Sequence, residues 1–159
     1  MATITIQEKA EQHVHSYAKA LAAAPSQGTE KTAEALHSHW AQKNFVAFTH
    51  GHTSLNNSTD ADRLGTKRYL DKFIEAGIGL DIRLASHRIE VVSSGSAICF
   101  MTWAIYPPET AVVQGWEWVN VYMFRLLPGQ DKGCWEAVIS DNEIGGLLQR
   151  FPKFMDGLF

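Results

Sequence analysis

The chain has 159 residues, 45% of them hydrophobic and 19% charged, with a formal net charge of −3 at pH 7. This length favours one domain over residues 1–159 with a sizeable core. The scattered Lys and Arg residues argue against nucleic-acid binding, and the apolar runs are too short to cross a membrane.

We also expect a cytoplasmic protein without disulfides. The segment Met1–Ile6 lacks the basic start and apolar stretch of a secretory signal. The two cysteines, Cys99 and Cys134, are too few for a disulfide framework and lie in strand-like segments.

Helical patterns dominate the first half of the chain. Residues 6–24 contain neither Gly nor Pro and predict a long helix, and a second helix is predicted over 31–40. Residues 44–50 predict a short strand, residues 51–62 a polar loop, and a third helix begins at Thr66.

The second half has the alternation of β-strands. Leu80, Ile82 and Leu84 alternate with polar residues, whereas His87, Ile89 and Val91 alternate in the opposite parity. A β-bulge near Ala85 and Ser86 reconciles the two patterns, because one extra residue changes the face. Further strands are predicted over 97–106, 114–127 and 134–140, with a closing helix over 144–151. Helices followed by long antiparallel strands indicate an α+β architecture, with the helices against a curved sheet.

Three segments and the order of elements resemble the nuclear transport factor 2-like superfamily. They are Thr66–Phe73, Gly95–Trp103 and Gly133–Asp141, the last continuing into Leu147-Leu148-Gln149. This superfamily includes SnoaL-type polyketide cyclases, scytalone dehydratase and ketosteroid isomerase. The resemblance implies a cone-shaped, cystatin-like α+β barrel with three N-terminal helices on a curved antiparallel sheet and a short C-terminal helix. Its members include enzymes, transport adaptors and binding modules, so the fold does not select a function.

Asp141 is the first candidate for catalysis. Strand alternation through Trp135, Ala137 and Ile139 places its carboxylate on their face, and burial there would raise its pKa towards the range of proton transfer. The resemblance implies the same role, because the SnoaL-type cyclases carry their general acid/base at the matching position. The alternative is that Asp141 caps the last helix, although Asn142 could do so instead.

Histidines are the second group of candidates. His50 could exchange a proton with a bound carbonyl compound, and His52 shares its face if the strand continues. His87 has Ile89 and Val91 on its face and is the better pocket histidine, although a lone histidine on an apolar face is more often a core residue. No HExxH motif or cysteine cluster is present, so we predict no metal and no cofactor.

Aromatic residues suggest one wall of a small-molecule pocket. One face of the strand over 114–127 carries broad rings with sparse polar anchors. The candidate ligand-binding residues are Tyr17, Trp40, Phe48, Trp103, Trp116, Trp118, Asn120 and Tyr122. The alternative is a packed core with no cavity. We expect the opposite face of this strand to pair with a second copy of the chain, because outer sheet faces commonly form dimers in the superfamily that the sequence resembles.

Together these features predict a small-molecule-binding protein. The favoured function is a cofactor-independent isomerase, cyclase or dehydratase acting by general acid/base chemistry on an apolar carbonyl metabolite, with Asp141, His50 and His87 as its catalytic residues. The alternative is a non-catalytic ligand-binding module or dimeric scaffold of the same fold.

Overall fold

The computed structural model describes residues 4–158, so Met1 to Thr3 of the segment Met1–Ile6 lie outside the described residues. The helices are α1 (Ile6–Ala22), α2 (Ala24–Gln27), α3 (Thr29–His37), α4 (Asp60–Glu75) and α5 (Asp141–Arg150). The strands are β1 (Phe45–Thr49), β2 (His52–Asn56), β3 (Ile82–Ser93), β4 (Ser96–Ile105), β5 (Glu117–Arg125) and β6 (Cys134–Ile139). Within residues 4–158, no helix combines the length and apolar character needed to cross a bilayer.

Capping residues define the starts of the two longest helices. The Thr5 side chain accepts a hydrogen bond from the Glu8 amide, and the Glu8 carboxylate accepts one from the Thr5 amide. Thr59 and Asp62 make the same reciprocal pair at α4. Each capping box satisfies two backbone donors that the first helical turn leaves open. The second one starts α4 six residues before the predicted position at Thr66.

The six strands form one open sheet in the order β2-β1-β6-β5-β4-β3. Strands β3 to β6 pair antiparallel as predicted, but β1 runs parallel to β6, so the sheet is mixed. The predicted α+β architecture is therefore confirmed, with an open sheet in place of a closed barrel. The long connection between β1 and β6 along the chain makes this parallel pair possible, because parallel strands need a crossover of a dozen or more residues.

The prediction of a loop over residues 51–62 is wrong. Residues 45–56 form a hairpin in which Thr49 pairs with His52 across a two-residue turn. Both turn residues, His50 and Gly51, have positive φ, of 47° and 90°. This combination is the one that fits the twist of a tight hairpin, and a glycine in the second position favours it. The polar side chains of β2, which is an exposed edge strand, concealed it from pattern analysis.

The sheet has three register shifts; one lies between Val91 and Ser93 at the end of β3, and the other two change the direction of predicted site residues. The first of these two, between Leu84 and Ser86, is the predicted bulge, and it places His87 on the face of Leu84. The second was not predicted: Met123 pairs with Ala137, but Phe124 pairs with Trp135, which leaves Glu136 as the extra residue of β6. One extra residue reverses the faces of the strand beyond it.

Candidate functional site

A cavity of about 420 Å³ lies between the concave face of the sheet and the helices. Its walls come from α1, α3, α4, α5 and the inner faces of β1, β4, β5 and β6. Apolar side chains such as Phe73, Leu70 and Ile144 form much of the lining. A volume of this size is within the range of small-molecule sites. The core is therefore not completely packed, in contrast to the packed-core alternative.

Six of the eight predicted wall residues lie on this cavity. They are Tyr17, Trp40, Trp103, Trp118, Asn120 and Tyr122. Phe48 is on the outer sheet face and 41% exposed, because Phe45, Ala47 and Thr49 are the inward residues of β1. Trp116 does not line the cavity either; the guanidinium of Arg150 lies over its ring, 4.2 Å from the centroid.

Asp141 lies at the protein surface and does not line the cavity. Its carboxylate accepts a short hydrogen bond from the backbone amide of His50. The bulge at Glu136 explains this position, because beyond it Val138 and Ser140 point inward whereas Ile139 is exposed. The alternative role is not seen either, since Ser140 is the N-cap of α5 and no side chain caps it.

The two predicted catalytic histidines are also outside the cavity. His50 is the first residue of the hairpin turn and is exposed. His87 bonds the carboxylate of Glu11 between β3 and α1, with 2.5 Å between Nε2 and Oε1. Asp141 and His50 are thus in contact outside the cavity, whereas His87 lies against α1, and the catalytic role of the three residues stays a prediction.

Two carboxylates of the described residues line the cavity, and they differ in their partners: Asp62 belongs to the capping box of α4, whereas Glu143 is bonded by side chains only. Glu143 is in the first turn of α5, two residues after Asp141, and the helical turn directs it inward. The Tyr69 hydroxyl donates a short hydrogen bond to one carboxylate oxygen. The amide of Asn120 donates to the other, with 2.9 Å between Nδ2 and Oε1. Two neighbouring elements, α4 and β5, thus hold the carboxylate in one orientation.

Burial raises the pKa of the Glu143 carboxyl above its ordinary value. The hydrogen bonds from Tyr69 and Asn120 favour the charged form and lower this pKa, but they only partly offset the desolvation. A raised pKa makes the ionised carboxylate a stronger base than an exposed one, which suits it to accept and return a proton.

Phenol groups supply the other polar part of the cavity. Burial raises the pKa of Tyr17 and Tyr122, so both hydroxyls stay protonated, and the charge of Glu143 adds to this effect. Tyr17 accepts a hydrogen bond from the Trp40 indole, with 3.2 Å between Nε1 and the hydroxyl oxygen. The Asn120 amide donates to the Tyr122 hydroxyl at 3.3 Å. The Asn120 carbonyl oxygen is buried and has no hydrogen-bond partner within the described part of the chain.

A neutral histidine lies behind the opposite wall. His37 Nε2 is 2.8 Å from the hydroxyl of Thr66, which lines the cavity. Burial lowers the pKa of His37 to about 4, and the charge of Arg63 adds to the effect. This imidazole is uncharged at neutral pH and therefore orients Thr66 without bringing charge to the cavity.

The sequence pattern did not indicate Glu143 and Tyr69 as site residues, for different reasons. Tyr69 is in the apolar stripe of α4, which predicts a core position equally well. Glu143 is in the first turn of a helix, where acidic residues are common because they favour the helix dipole. The sequence did contain a signal for Glu143. A side chain in the first turn of a helix points in a different direction from the last residues of the preceding strand, so the face predicted for Asp141 does not apply to Glu143.

Comparison with known proteins gives the fold. No protein-family model matches the sequence, and no curated protein matches it. A nuclear transport factor 2-like superfamily protein from Salmonella enterica is similar in structure, with a TM-score of 0.56 and 8% identity over 84% of this chain and 87% of that one.

Two further solved structures have names that refer to enzymes. A ketosteroid isomerase-like protein from Erwinia carotovora has a TM-score of 0.55 and 15% identity, covering 84% of this chain and 95% of its own. A candidate scytalone dehydratase from Novosphingobium aromaticivorans has a TM-score of 0.57 and 10% identity, covering 84% and 80%. At this identity the likeness is one of fold alone, and it confirms the fold that the sequence predicted.

Proposed function

We propose that this chain, which has the nuclear transport factor 2-like fold, binds one small, largely apolar carbonyl compound and catalyses a cofactor-independent proton transfer on it. The reaction class is isomerisation, cyclisation or dehydration. The observation that carries the proposal is Glu143, a carboxylate with a raised pKa in an apolar cavity that also contains protonated phenols.

In this proposal Glu143 is the general acid/base. Its carboxylate removes a proton from the carbon next to the carbonyl group and returns it to another position of the same molecule. The developing enolate oxygen accepts hydrogen bonds from Tyr17 or Tyr122, whose hydroxyls line the same cavity. Tyr69 and Asn120 hold the carboxylate in place and limit its pKa. We assign this role to Glu143 in preference to Asp141, because Glu143 lines the cavity and Asp141 does not.

The lining favours a compact ligand with few polar groups. Apolar side chains surround the polar cluster, and the unpartnered carbonyl oxygen of Asn120 offers an acceptor for a ligand hydroxyl. Such a combination of apolar walls and few oriented polar groups is typical of sites that fix one orientation of a small molecule.

The second candidate function is a non-catalytic ligand-binding module. The same cavity supports it, since Tyr69 and Asn120 already satisfy the Glu143 carboxylate without a ligand. The two functions differ in whether a bound molecule is chemically changed, and both require that the cavity be occupied.

Filling the cavity is expected to prevent ligand retention. Ala47 lines the cavity, so Ala47→Phe would place a ring in the ligand's volume. Native mass spectrometry of the protein purified from its own host should detect a small molecule on the wild type and none on the variant. The matched control is Val46→Phe on the outer face of the same strand, which should retain the molecule. Retention by both variants would contradict binding in this cavity.

The outer sheet face supports the proposal of a homodimer. Phe48, Val119, Met123 and Ile139 are between 38% and 49% exposed. Val121 pairs with Phe100 on one side and Ile139 on the other, which places it in the middle of this surface. A contiguous apolar patch on a folded domain commonly marks a contact with another protein, and a sheet face can be covered by its own copy.

Val121→Arg is expected to dissociate the dimer, because the contact would bury an unpaired charge at its centre. Sedimentation velocity at several protein concentrations should find monomers for this variant and dimers for the wild type. Val92→Arg, at an exposed position of β3, is the control and should remain dimeric. A monomeric wild type would contradict the proposed interface.

A further inference from the structure

Two histidines and a glutamate meet on the outside of the protein, away from the cavity. Glu11 and His15 belong to α1, and His87 belongs to β3. Oε1 of Glu11 is 2.5 Å from Nε2 of His87 and 3.3 Å from Nε2 of His15. One ligand atom from each of the three residues lies within 4.8 Å of the other two. The rings of His15 and His87 meet edge to face, with centroids 5.2 Å apart.

Local structure brings these residues together. Glu11 and His15 are four residues apart on α1, so their side chains lie one turn apart on the same face. His87 faces α1 because the bulge between Leu84 and Ser86 changes the direction of the side chains that follow. Without the extra residue, Ser86 would take this position and no third ligand would be present.

We propose that Glu11, His15 and His87 bind one divalent first-row transition metal ion, with Zn²⁺ as the reference ion. Bond lengths of about 2.0–2.1 Å in a tetrahedral site separate neighbouring ligand atoms by roughly 3.3 Å. The distance between Glu11 and His15 already has this value. The 2.5 Å between Glu11 and His87 would have to widen to it, and the ligand atoms of His15 and His87, which lie within 4.8 Å, would have to match it as well. The three ligands therefore need side-chain adjustment only.

The ligand types select the metal. Imidazole nitrogens suit Zn²⁺, Ni²⁺ and Cu²⁺, whereas Ca²⁺ and Mg²⁺ need several oxygen ligands that this site does not offer. The side chains of His15 and Glu11 are 61% and 39% exposed, so the fourth position faces solvent and would hold water. This site is separate from the cavity, and its occupancy does not depend on the proposed function.

The ion would connect two elements that otherwise meet mainly through side-chain packing. Helix α1 carries Tyr17 into the cavity two residues after His15, and β3 is the edge strand at the opposite side of the sheet from β2. A metal that joins α1 to β3 would stabilise the wall on which Tyr17 lies, because binding to the folded state alone raises its stability.

The test is a titration of metal-stripped, full-length protein with ZnCl₂. Isothermal titration calorimetry and native mass spectrometry should find one ion per chain. At a free concentration about 100 times the dissociation constant, the melting temperature should rise by roughly 5–10 °C. Cobalt(II) should give the visible absorption of a tetrahedral site, and CaCl₂ or MgCl₂ should have no effect.

Variants of the three ligands decide whether this cluster is the site. His15→Gln and His87→Gln should each weaken Zn²⁺ binding by at least roughly tenfold. His15 is exposed, so its replacement should leave the fold and the melting temperature of the metal-free protein unchanged. The matched control His50→Gln removes an exposed histidine elsewhere and should bind as the wild type does. Binding of equal strength by wild type and His15→Gln, or by neither, would overturn the proposal.

Discussion

Replacing Glu143 with glutamine is expected to lower the rate of the proposed proton transfer by about 10²–10⁴-fold. Glutamine keeps the size of the side chain and can still bond Tyr69, but it cannot accept a proton from a carbon acid. The rate can be measured by NMR as deuterium exchange into cyclic and aromatic ketones in D₂O, or into the molecule that the purified protein retains.

Asp141→Asn is the matched control for this variant. It removes a carboxylate two residues away that lies outside the cavity, so the rate of exchange should change little. Loss of exchange in Asp141→Asn with an active Glu143→Gln would instead support the role predicted from sequence for Asp141. The wild-type rate should fall as pH falls through the pKa of Glu143, at a pH above the 4.5 of an ordinary glutamic acid.

Stability provides a second measurement on Glu143→Gln. Because the pKa of Glu143 is raised in the folded state, its contribution to stability is fully present below the unfolded value and is lost as pH rises through the folded value. At neutral pH the glutamine variant should therefore be more stable, by about 0.5–2 kcal/mol, and the gain should shrink in acid. Glutamine has only one acceptor oxygen for Tyr69 and Asn120, so a variant that is less stable than the wild type at neutral pH would show that these hydrogen bonds outweigh the cost of burying the charge.

Trp135→Ala is expected to have the largest effect on stability. The side chain of Trp135 is completely buried, and its ring contacts those of His13, Tyr17 and Tyr122. Its backbone also joins β6 to the residues after α3, since the Ala41 amide donates to the Trp135 carbonyl at 2.8 Å. Removing the indole leaves a large void between α1 and the sheet, which typically costs about 3–5 kcal/mol.

Thermal unfolding followed by circular dichroism measures this loss. A domain of this size should lose roughly 6–20 °C in melting temperature, or fail to fold at 37 °C. Trp116→Ala is the control, because Trp116 is only partly buried and lies under Arg150 near one end of the sheet. Equal losses in the two variants would show that Trp135 is not the centre of the core.

Most helices and strands of the fold could be predicted from the sequence, because their apolar residues recur at clear helical or strand spacing. The alternation on either side of Ala85 required a bulge, and the structure has it between Leu84 and Ser86. The hairpin over residues 45–56 was missed because β2 is an exposed edge strand without an apolar face. The parallel pairing of β1 with β6 could not be predicted either, since it depends on contacts between segments far apart along the chain.

The candidate site was predictable only in part. The inward face of β5 follows simple alternation, so Trp118, Asn120 and Tyr122 were placed correctly on the cavity wall. The same rule failed in β6, where the extra residue Glu136 reverses the faces before Asp141. No residue in β6 signals this bulge, because Glu136 is also compatible with a regular outward position.

Parallel pairing between β1 and β6 also has a consequence for the order of folding. The hairpin β1–β2 contacts the rest of the sheet only through β6, so this part of the cavity wall requires a very long loop to close. Closing such a loop loses conformational entropy before the contacts between β1 and β6 offset the loss. Pairings between segments so far apart along the chain therefore form slowly. During synthesis from the N-terminus, the hairpin can join the rest of the sheet only after β6 has left the ribosome. The part of the cavity wall that β1 and β6 form together is therefore completed only after β6 has been synthesised.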